Sequence, residues 1–440
     1  MQPTEADSEI EEEHLLNFVV NSLDEELAID LGENVEVTTE TLYEVLAGAS
    51  AGGTSINHVC ETTDDSPHAN TVRGHLTEQF ELDSVEAVGD TLLQRDALAT
   101  LPDRPVEVCA DLHLDPYYGD EDETEALYFS QAKRGTTAFH AYATLYARVR
   151  NKRYTLAVRQ LVAGDTTSDV LAEFLELLDG LDLGVKAVYL DRGFYNSTCL
   201  GLLYAHNYAY AMPIVKWGET IQNELNRGWS REIEHDLAGE VTFPVFIDCV
   251  YQQGRYDEHG VARHGYAADA PFIDTPRDAR EHYSKRFGIE SSYRLAKQSL
   301  AFTSSQDAGL RLVMFVVSLL LQNSWRYLHW RYVAAPRRGG RRLWRWPFTE
   351  FCEMVLRAAW TALGVRRAVP ANQPLDDRFF RWLSTDPDSD REWRRCRVGG
   401  GSPPTATVHP GDRAHQRFED APRPVQSDSP PSDKITRLSM

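Results

Sequence analysis

The sequence predicts an α/β protein built on a mixed β-sheet, interrupted by a β-rich insertion and preceded by an N-terminal helical domain. Three observations lead there. From residue 105, short apolar runs alternate with segments of helical period; residues 216–275 carry strand and turn signals but no clear helix longer than two turns; residues 41–80 read as two or three short helices. At 440 residues and 42% apolar, the chain can build two or three domains around a full-sized core.

Residues 1–40 form an acidic segment with some helical spacing. In 41–104, Ser66-Pro67 is a helix start, because serine caps free amides and proline in the first turn loses no partner. Ala69, Val72, Leu76 and Phe80 then share one face and leave Asn70, Arg73 and Thr77 on another. With Ser55–Glu61 before it, the arrangement resembles a helix-turn-helix reading DNA through Asn70 and Arg73; a small helical cap on the main domain is the other reading. Val106–Ala110 is a short buried-strand run ending in Asp111. Phe139–Arg148 and Arg153–Val162 read as a hairpin with Asn151-Lys152 in its turn. A helix over Thr167–Leu178, a buried strand Val185–Leu190 ending in Asp191, a helix near 196–206 and a strand Tyr208–Val215 follow. Sixty residues, 216–275, are too many for a simple loop and are read as an inserted subdomain. Helices resume at 278–299 and 307–330, the second apolar almost all round and therefore buried. Residues 331–386 hold an arginine-aromatic stretch and a last helical piece near 350–363; 387–440 has the composition of a disordered tail.

Charge narrows the function classes. The net charge is −22, and 23 carboxylates against Arg73 and Arg95 place nearly all of it in the first hundred residues. Arginine outnumbers lysine 38 to seven. Such a surface suits a very salty cytoplasm, although an acidic mesophilic enzyme has the same signature. No run reaches the ~18–20 apolar residues of a membrane span, the N-terminus has no basic leader, and six cysteines without a Cys-x-x-Cys pair exclude an ordinary structural zinc site. The expectation is a soluble cytoplasmic protein with no membrane partner.

Three carboxylates stand out by position. Asp111 and Asp191 each close an apolar run at the carboxyl end, where open α/β sheets build their sites. For Asp111 a turn-capping role is equally open. Glu290 shares a helix with Tyr283, Arg286 and Lys297 within an arc of roughly 60°, which sets an acceptor among a phenol, a guanidinium and an ammonium. By itself an Arg286–Glu290 pair followed by Arg294 could be a solvated ladder.

Taken together, the spacing resembles a known family. Tyr283-x2-Arg286-x3-Glu290-x6-Lys297 is similar to the Tyr-Arg-Glu-Lys signature of one large group of insertion-sequence DDE transposases. Asp191-Arg192-Gly193-Phe194 resembles the block around that group's second acid; Cys109-Ala110-Asp111-Leu112-His113 followed by Pro116-Tyr117-Tyr118-Gly119 resembles the first block of its haloarchaeal members. The resemblance covers 105–330 in order and spacing, and 40–104 and 331–386 more loosely. It implies an RNase H-like core, a mixed five-stranded sheet with flanking helices split into 105–215 and 276–330. There Asp111, Asp191 and Glu290 would hold two Mg2+ or Mn2+ ions. It implies DNA contacts from Tyr283, Arg286, Arg294 and Lys297, and a base-stacking aromatic in the insertion. Trp217 and Trp229 are the candidates, each equally readable as core. His113 and His140 read as structural, and Asp115 or Asp120 could compete with Asp111. The implied function is cleavage and strand transfer at terminal inverted repeats and target DNA by a homodimer or larger assembly. The alternatives are an RNase H-like nuclease without joining activity and an inactive DNA-binding remnant. The acidic surface is compatible with DNA binding in molar salt, where counterion release drives little and hydrogen bonds, shape and stacking must carry affinity.

Overall fold

Thr136–Val149 and Val241–Tyr251, both rich in β-branched and aromatic residues, form two of the longest strands. In a computed structural model, the described residues are 9–32, 36–121, 124, 126–149, 152–216, 218–237, 239–251, 260–285, 297–337, 340–342 and 345–366. They belong to one unit, Met1–Ala368; the second, Val369–Met440, lies outside them, as does the expected tail.

β1 (Val106–Pro116), β2 (Tyr128–Lys133), β3 (Thr136–Val149) and β4 (Lys152–Leu161) form the antiparallel half of the sheet. The expected hairpin is β3–β4, closing at Val149↔Lys152. β5 (Val185–Leu190) and β6 (Tyr210–Pro213) add parallel strands beside β1. The central order is β4-β3-β1-β5-β6, with β2 extending the same edge of β3 as β4. Capped helices supply the crossovers: α6 (Thr167–Gly180) starts at a Thr166–Asp169 capping box and α7 (Ser197–Ala205) at Asn196. Both cover one sheet face, burying Leu171, Phe174, Leu175, Leu200 and Leu203.

The insertion differs from the expected subdomain. β7 (Arg231–Leu237), β8 (Val241–Tyr251) and β9 (Val261–Asp269) form a meander that pairs through β9 with β6, giving one nine-stranded sheet. β6 would otherwise present an unpaired edge, and the alanines 267 and 268 of β9 let the layers close upon it. A short helix, α8 (Glu219–Asn226), precedes the meander, and α9 (Pro276–Ser284) returns the chain to the sheet.

The opposite face meets a helical layer. Before β1 lie α1 (Glu12–Leu27), α2 (Thr39–Ala51), α3 (Ile56–Thr62), α4 (Ala69–Gln79) and α5 (Leu82–Leu98). After α9 come α10 (Ala308–Leu328) and α11 (Phe348–Ala362), making eleven helices among the described residues. All but α6–α9 share one apolar core with Tyr142 and Val158 of the sheet. The acidic first segment thus hides a core helix: Leu15, Leu16, Val19, Val20 and Leu23 form a buried stripe masked in the sequence by flanking carboxylates. Between α10 and α11 run a π-helical turn, His329–Val333, and a small hairpin, Ala335–Arg337 with Gly340–Arg342. It joins two core helices.

α10 is the buttress of this layer. Ala308–Val333, which includes Arg311, Arg326 and Arg331, has the length and apolar composition of a membrane span, yet 83% of its apolar window is buried within the protein. Its buried polar groups are bonded to neighbours. The Asn323 amide donates to the carbonyls of Leu93 (3.0 Å) and Thr155 (2.8 Å), and its oxygen accepts from the Thr155 amide (3.1 Å). Ser324 bonds Asp96 at 2.7 Å, and Arg326 bonds the Arg153 carbonyl. Replacing Asn323 with leucine leaves two carbonyls and an amide without this partner, so Asn323→Leu should destabilise the fold by about 2–4 kcal/mol. Urea unfolding monitored by tryptophan fluorescence measures this; an unchanged midpoint would contradict the bridging role.

Candidate active site where strands β1 and β5 part

Sheet register brings two carboxylates together. β1 and β5 pair in parallel as far as Ala110↔Leu190, and Asp111 and Asp191 are the next residues. Equivalent positions on neighbouring parallel strands point to the same face, about 4.8 Å apart. Both aspartates are half-buried. Asp191 is still extended (φ −77°, ψ 165°) before the 3-10 turn Arg192–Phe194, and its side chain does not cap that turn.

Asp111 is not the strand end that the sequence suggests. β1 continues to Pro116 along β3, with Asp111 opposite Thr144; what ends at Asp111 is the pairing with β5. Its Oδ1 accepts from the Leu112 amide at 3.1 Å. The missed signal is the alternation Asp111-Leu112-His113-Leu114-Asp115, which marks a half-buried strand. Leu112 and Leu114 pack toward α6 and α7, so Asp111, His113 and Asp115 face the other way. Asp115 therefore shares the face of Asp111, two positions beyond His113, whereas Asp120 is exposed beyond the strand.

The two histidines are packed. His113 stacks on Phe315 at 5.9 Å, and His140 meets Tyr117 edge-on at 5.2 Å. Burial lowers the His113 pKa to about 4, with the Lys297 ammonium and Arg134 acting the same way against Asp115. Burial likewise lowers His140 to about 4, helped by Arg311 and opposed by Asp115. Both rings are neutral at neutral pH.

Tyr283 differs most from its sequence reading. It is 1% exposed, packs on Tyr266, and donates to the carbonyl of Leu190 at 3.2 Å. A phenol so enclosed holds the strand end before Asp191 and is not presented to DNA. Of the expected helix over 278–299, α9 accounts for the part up to Ser284, Lys297 lies in a turn, and residues 286–296 lie outside the described residues. Buried Ser299 bonds the Ser318 carbonyl, so the chain after Lys297 follows α10. Lys297 is exposed and shares a cavity of about 390 Å3 with His113, Asp115, Tyr142 and Arg311. Tyr283 and Lys297 thus both reach the sheet face of Asp111 and Asp191. Glu290, Arg286, Arg294 and Trp217 lie outside the described residues. Trp229 is 57% exposed, with Arg231 5.3 Å from its ring, so it is not core.

Asn70 and Arg73 lie on α4, bonded to each other. The α4 cap is His68, not Ser66, whose hydroxyl instead serves the Cys60 carbonyl. Ala69, Val72 and Leu76 are buried as the periodicity expects. Sequence reading missed Arg148, which bonds Glu107 on β1 and the Lys285 carbonyl (3.3 Å) beyond α9; a partner 137 positions away leaves no local signal.

Asp111 and Asp191 supply hard oxygen donors side by side, a pair that fits Mg2+ or Mn2+. Among the described residues no group of three or more His, Cys, Asp or Glu side chains is gathered for a metal.

No family model matches the chain, and no curated protein matches it. A solved structure described as the cryo-EM structure of a piggyBac transposase synaptic complex with hairpin DNA is similar at 11% identity and a TM-score of 0.49. The alignment covers 92% of this chain and 89% of that one.

The histidines give a pH prediction. The folded pKa of His140, about 4, lies below the unfolded value near 6.5, so the unfolded chain binds more protons between them. Stability should fall as pH drops through that window. His140→Phe should reduce the loss between pH 7 and pH 5 by roughly 2 kcal/mol, measured by urea unfolding at both pH values. An equal loss in both proteins would contradict the buried neutral ring.

Proposed function

We propose that the chain is a DNA transposase that binds the terminal inverted repeats of an insertion sequence and catalyses strand cleavage and strand transfer. The observation that carries this reading is the register that ends at Ala110↔Leu190 and seats Asp111 beside Asp191. The mixed core, with β1, β5 and β6 parallel, β3 antiparallel and helices on both faces, supports the RNase H-like assignment. Glu290 is proposed as the third carboxylate. Its described flanks support this, since Tyr283 is fixed to Leu190 and Lys297 lies beside His113, seven positions away on either side.

In this reading Asp111, Asp191 and Glu290 would hold two Mg2+ or Mn2+ ions. When bound, the ions supply activation of a water or 3′-hydroxyl nucleophile and charge stabilisation on the leaving oxygen. Cleavage and joining are then one displacement at phosphorus with two nucleophiles. Lys297 offers an exposed ammonium to a phosphate next to the scissile one, and Arg286 and Arg294 are proposed to extend that contact. Tyr283 acts on the protein, fixing the β5 end from which Asp191 projects. His113, neutral beside Asp111, adds no cation to compete for its carboxylate. Asn70 and Arg73 are proposed DNA contacts on α4, Trp217 a stacking residue, and the active form a homodimer or larger assembly in a salt-rich cytoplasm.

Asp111→Ala and Asp191→Ala should each lower Mg2+-dependent strand cleavage by at least about a thousandfold while end-binding in gel shifts is retained. Joining of a pre-cleaved 3′-hydroxyl end, assayed in parallel, separates a transposase from a nuclease that only cuts. Metal-dependent cleavage persisting in the Asp191 variant would refute the assignment.

A further inference from the structure

Between Lys297 and α10 the chain has no regular structure, yet it is pinned throughout. Ala301 is buried, and the Phe302 amide donates to the Thr54 carbonyl at 2.9 Å. The Arg311 guanidinium holds the carbonyls of Ser305 and Thr303. Ser305 and Asp307 close local turns onto the Thr303 and Ser305 hydroxyls, at 3.0 and 3.2 Å. At Gly53 (φ +54°) a Cβ would come within 2.9 Å of the Gln298 oxygen, so the α2–α3 turn sits directly on this strap.

On that fixed backbone the Phe302 ring is 71% exposed. Exposed phenylalanines are common singly; this one stands between two cavities. On one side is the 390 Å3 cavity with Lys297, Arg311, His113 and Asp115; on the other is one of about 430 Å3 with Arg73, Asn57, Ser55 and Ser304. Phe302, Thr303 and Met314 line both. The first cavity runs along the face that carries Asp111. Among the described lining residues, three cationic side chains face a single carboxylate, Asp115. A planar apolar ring on a rigid mount, flanked by cations and hydroxyls, is chemistry suited to an unpaired nucleotide: the base stacks and the phosphates on either side meet the cations.

We propose that Phe302 is a stacking platform for an unpaired DNA base next to the strand being cut, with Arg73 and Lys297 contacting the adjoining phosphates. This rests on the DNA-transposase reading above and adds a site outside the signature residues and the insertion. Strand cleavage leaves single-stranded or distorted nucleotides beside the scissile phosphate. Holding one of them on a ring anchored to both α10 and the α2–α3 turn would fix the strand relative to Asp111.

The test uses the full chain and duplexes tiling the DNA that flanks its coding sequence. Each is prepared blunt and with a short single-stranded 3′ overhang carrying 2-aminopurine at its first unpaired position. The wild type should favour the overhang form and quench the 2-aminopurine. Phe302→Ala should lose that preference by about tenfold and lose the quenching, leaving affinity for the blunt duplex unchanged, while Phe302→Trp should restore both. Because the ring is exposed, neither variant disturbs the core, and circular dichroism checks this. Wild-type quenching that survives in Phe302→Ala overturns the stacking site while leaving the transposase reading intact. Failure of the wild type to bind any of the duplexes, blunt or overhung, overturns that reading and the site with it.

Discussion

Everything at the site depends on one pairing, the parallel contact of β1 with β5 and the point where it ends. Up to Ala110↔Leu190 the strands share backbone hydrogen bonds; beyond it β1 continues with β3 while β5 turns into a 3-10 turn. Asp111 and Asp191 are the first residues beyond that pairing and lie on the same face. Such a pair is costly unless cations or donors compensate it. The surrounding structure resists relaxation: Tyr283 holds the Leu190 carbonyl, Arg148 ties β3 to Glu107 and Lys285, and α10 stacks Phe315 over His113 and Tyr142. Rigid strands with locked neighbours keep the two aspartates in place.

Much of this was legible in the sequence where local patterns and tertiary demands agree. The hairpin, α6, α7, β5 and the buried character of α10 follow from periodicity and caps. Asp191 was legible because a buried strand stops abruptly before it. Features set by distant partners were not. The full length of β1 was obscured because Asp111, His113 and Asp115 look like loop residues until β3 is placed beside them. The insertion reads as a separate body because no local signal announces that β9 will pair with β6. Tyr283 sits at a signature position that suggests DNA contact, but its hydroxyl meets a carbonyl 93 residues earlier. Phe302 carries no motif, and its interest comes only from the two cavities that it separates.

The charge distribution fits the fold in one further way. The acidic N-terminal helices join α10 and α11 in one core; Asp90 and Asp96 of α5 are buried, and most of the other carboxylates lie outside that core. The cations that could meet phosphate lie instead on the Lys297–Arg311 side and on α4. A protein with net charge −22 can therefore carry a locally cationic path while its acid excess stays with the first hundred residues.

The central claim is that Asp111 and Asp191 share divalent ions with Glu290. Iron-directed cleavage tests it in a single experiment: Fe2+ replaces Mg2+ in the native protein, ascorbate and peroxide generate hydroxyl radicals at the bound ion, and the broken chain is mapped. The account predicts breaks clustered near residues 111, 191 and 290, all suppressed by excess Mg2+. Breaks elsewhere, or breaks at 111 and 191 with none near 290 and no competition by Mg2+, would contradict it.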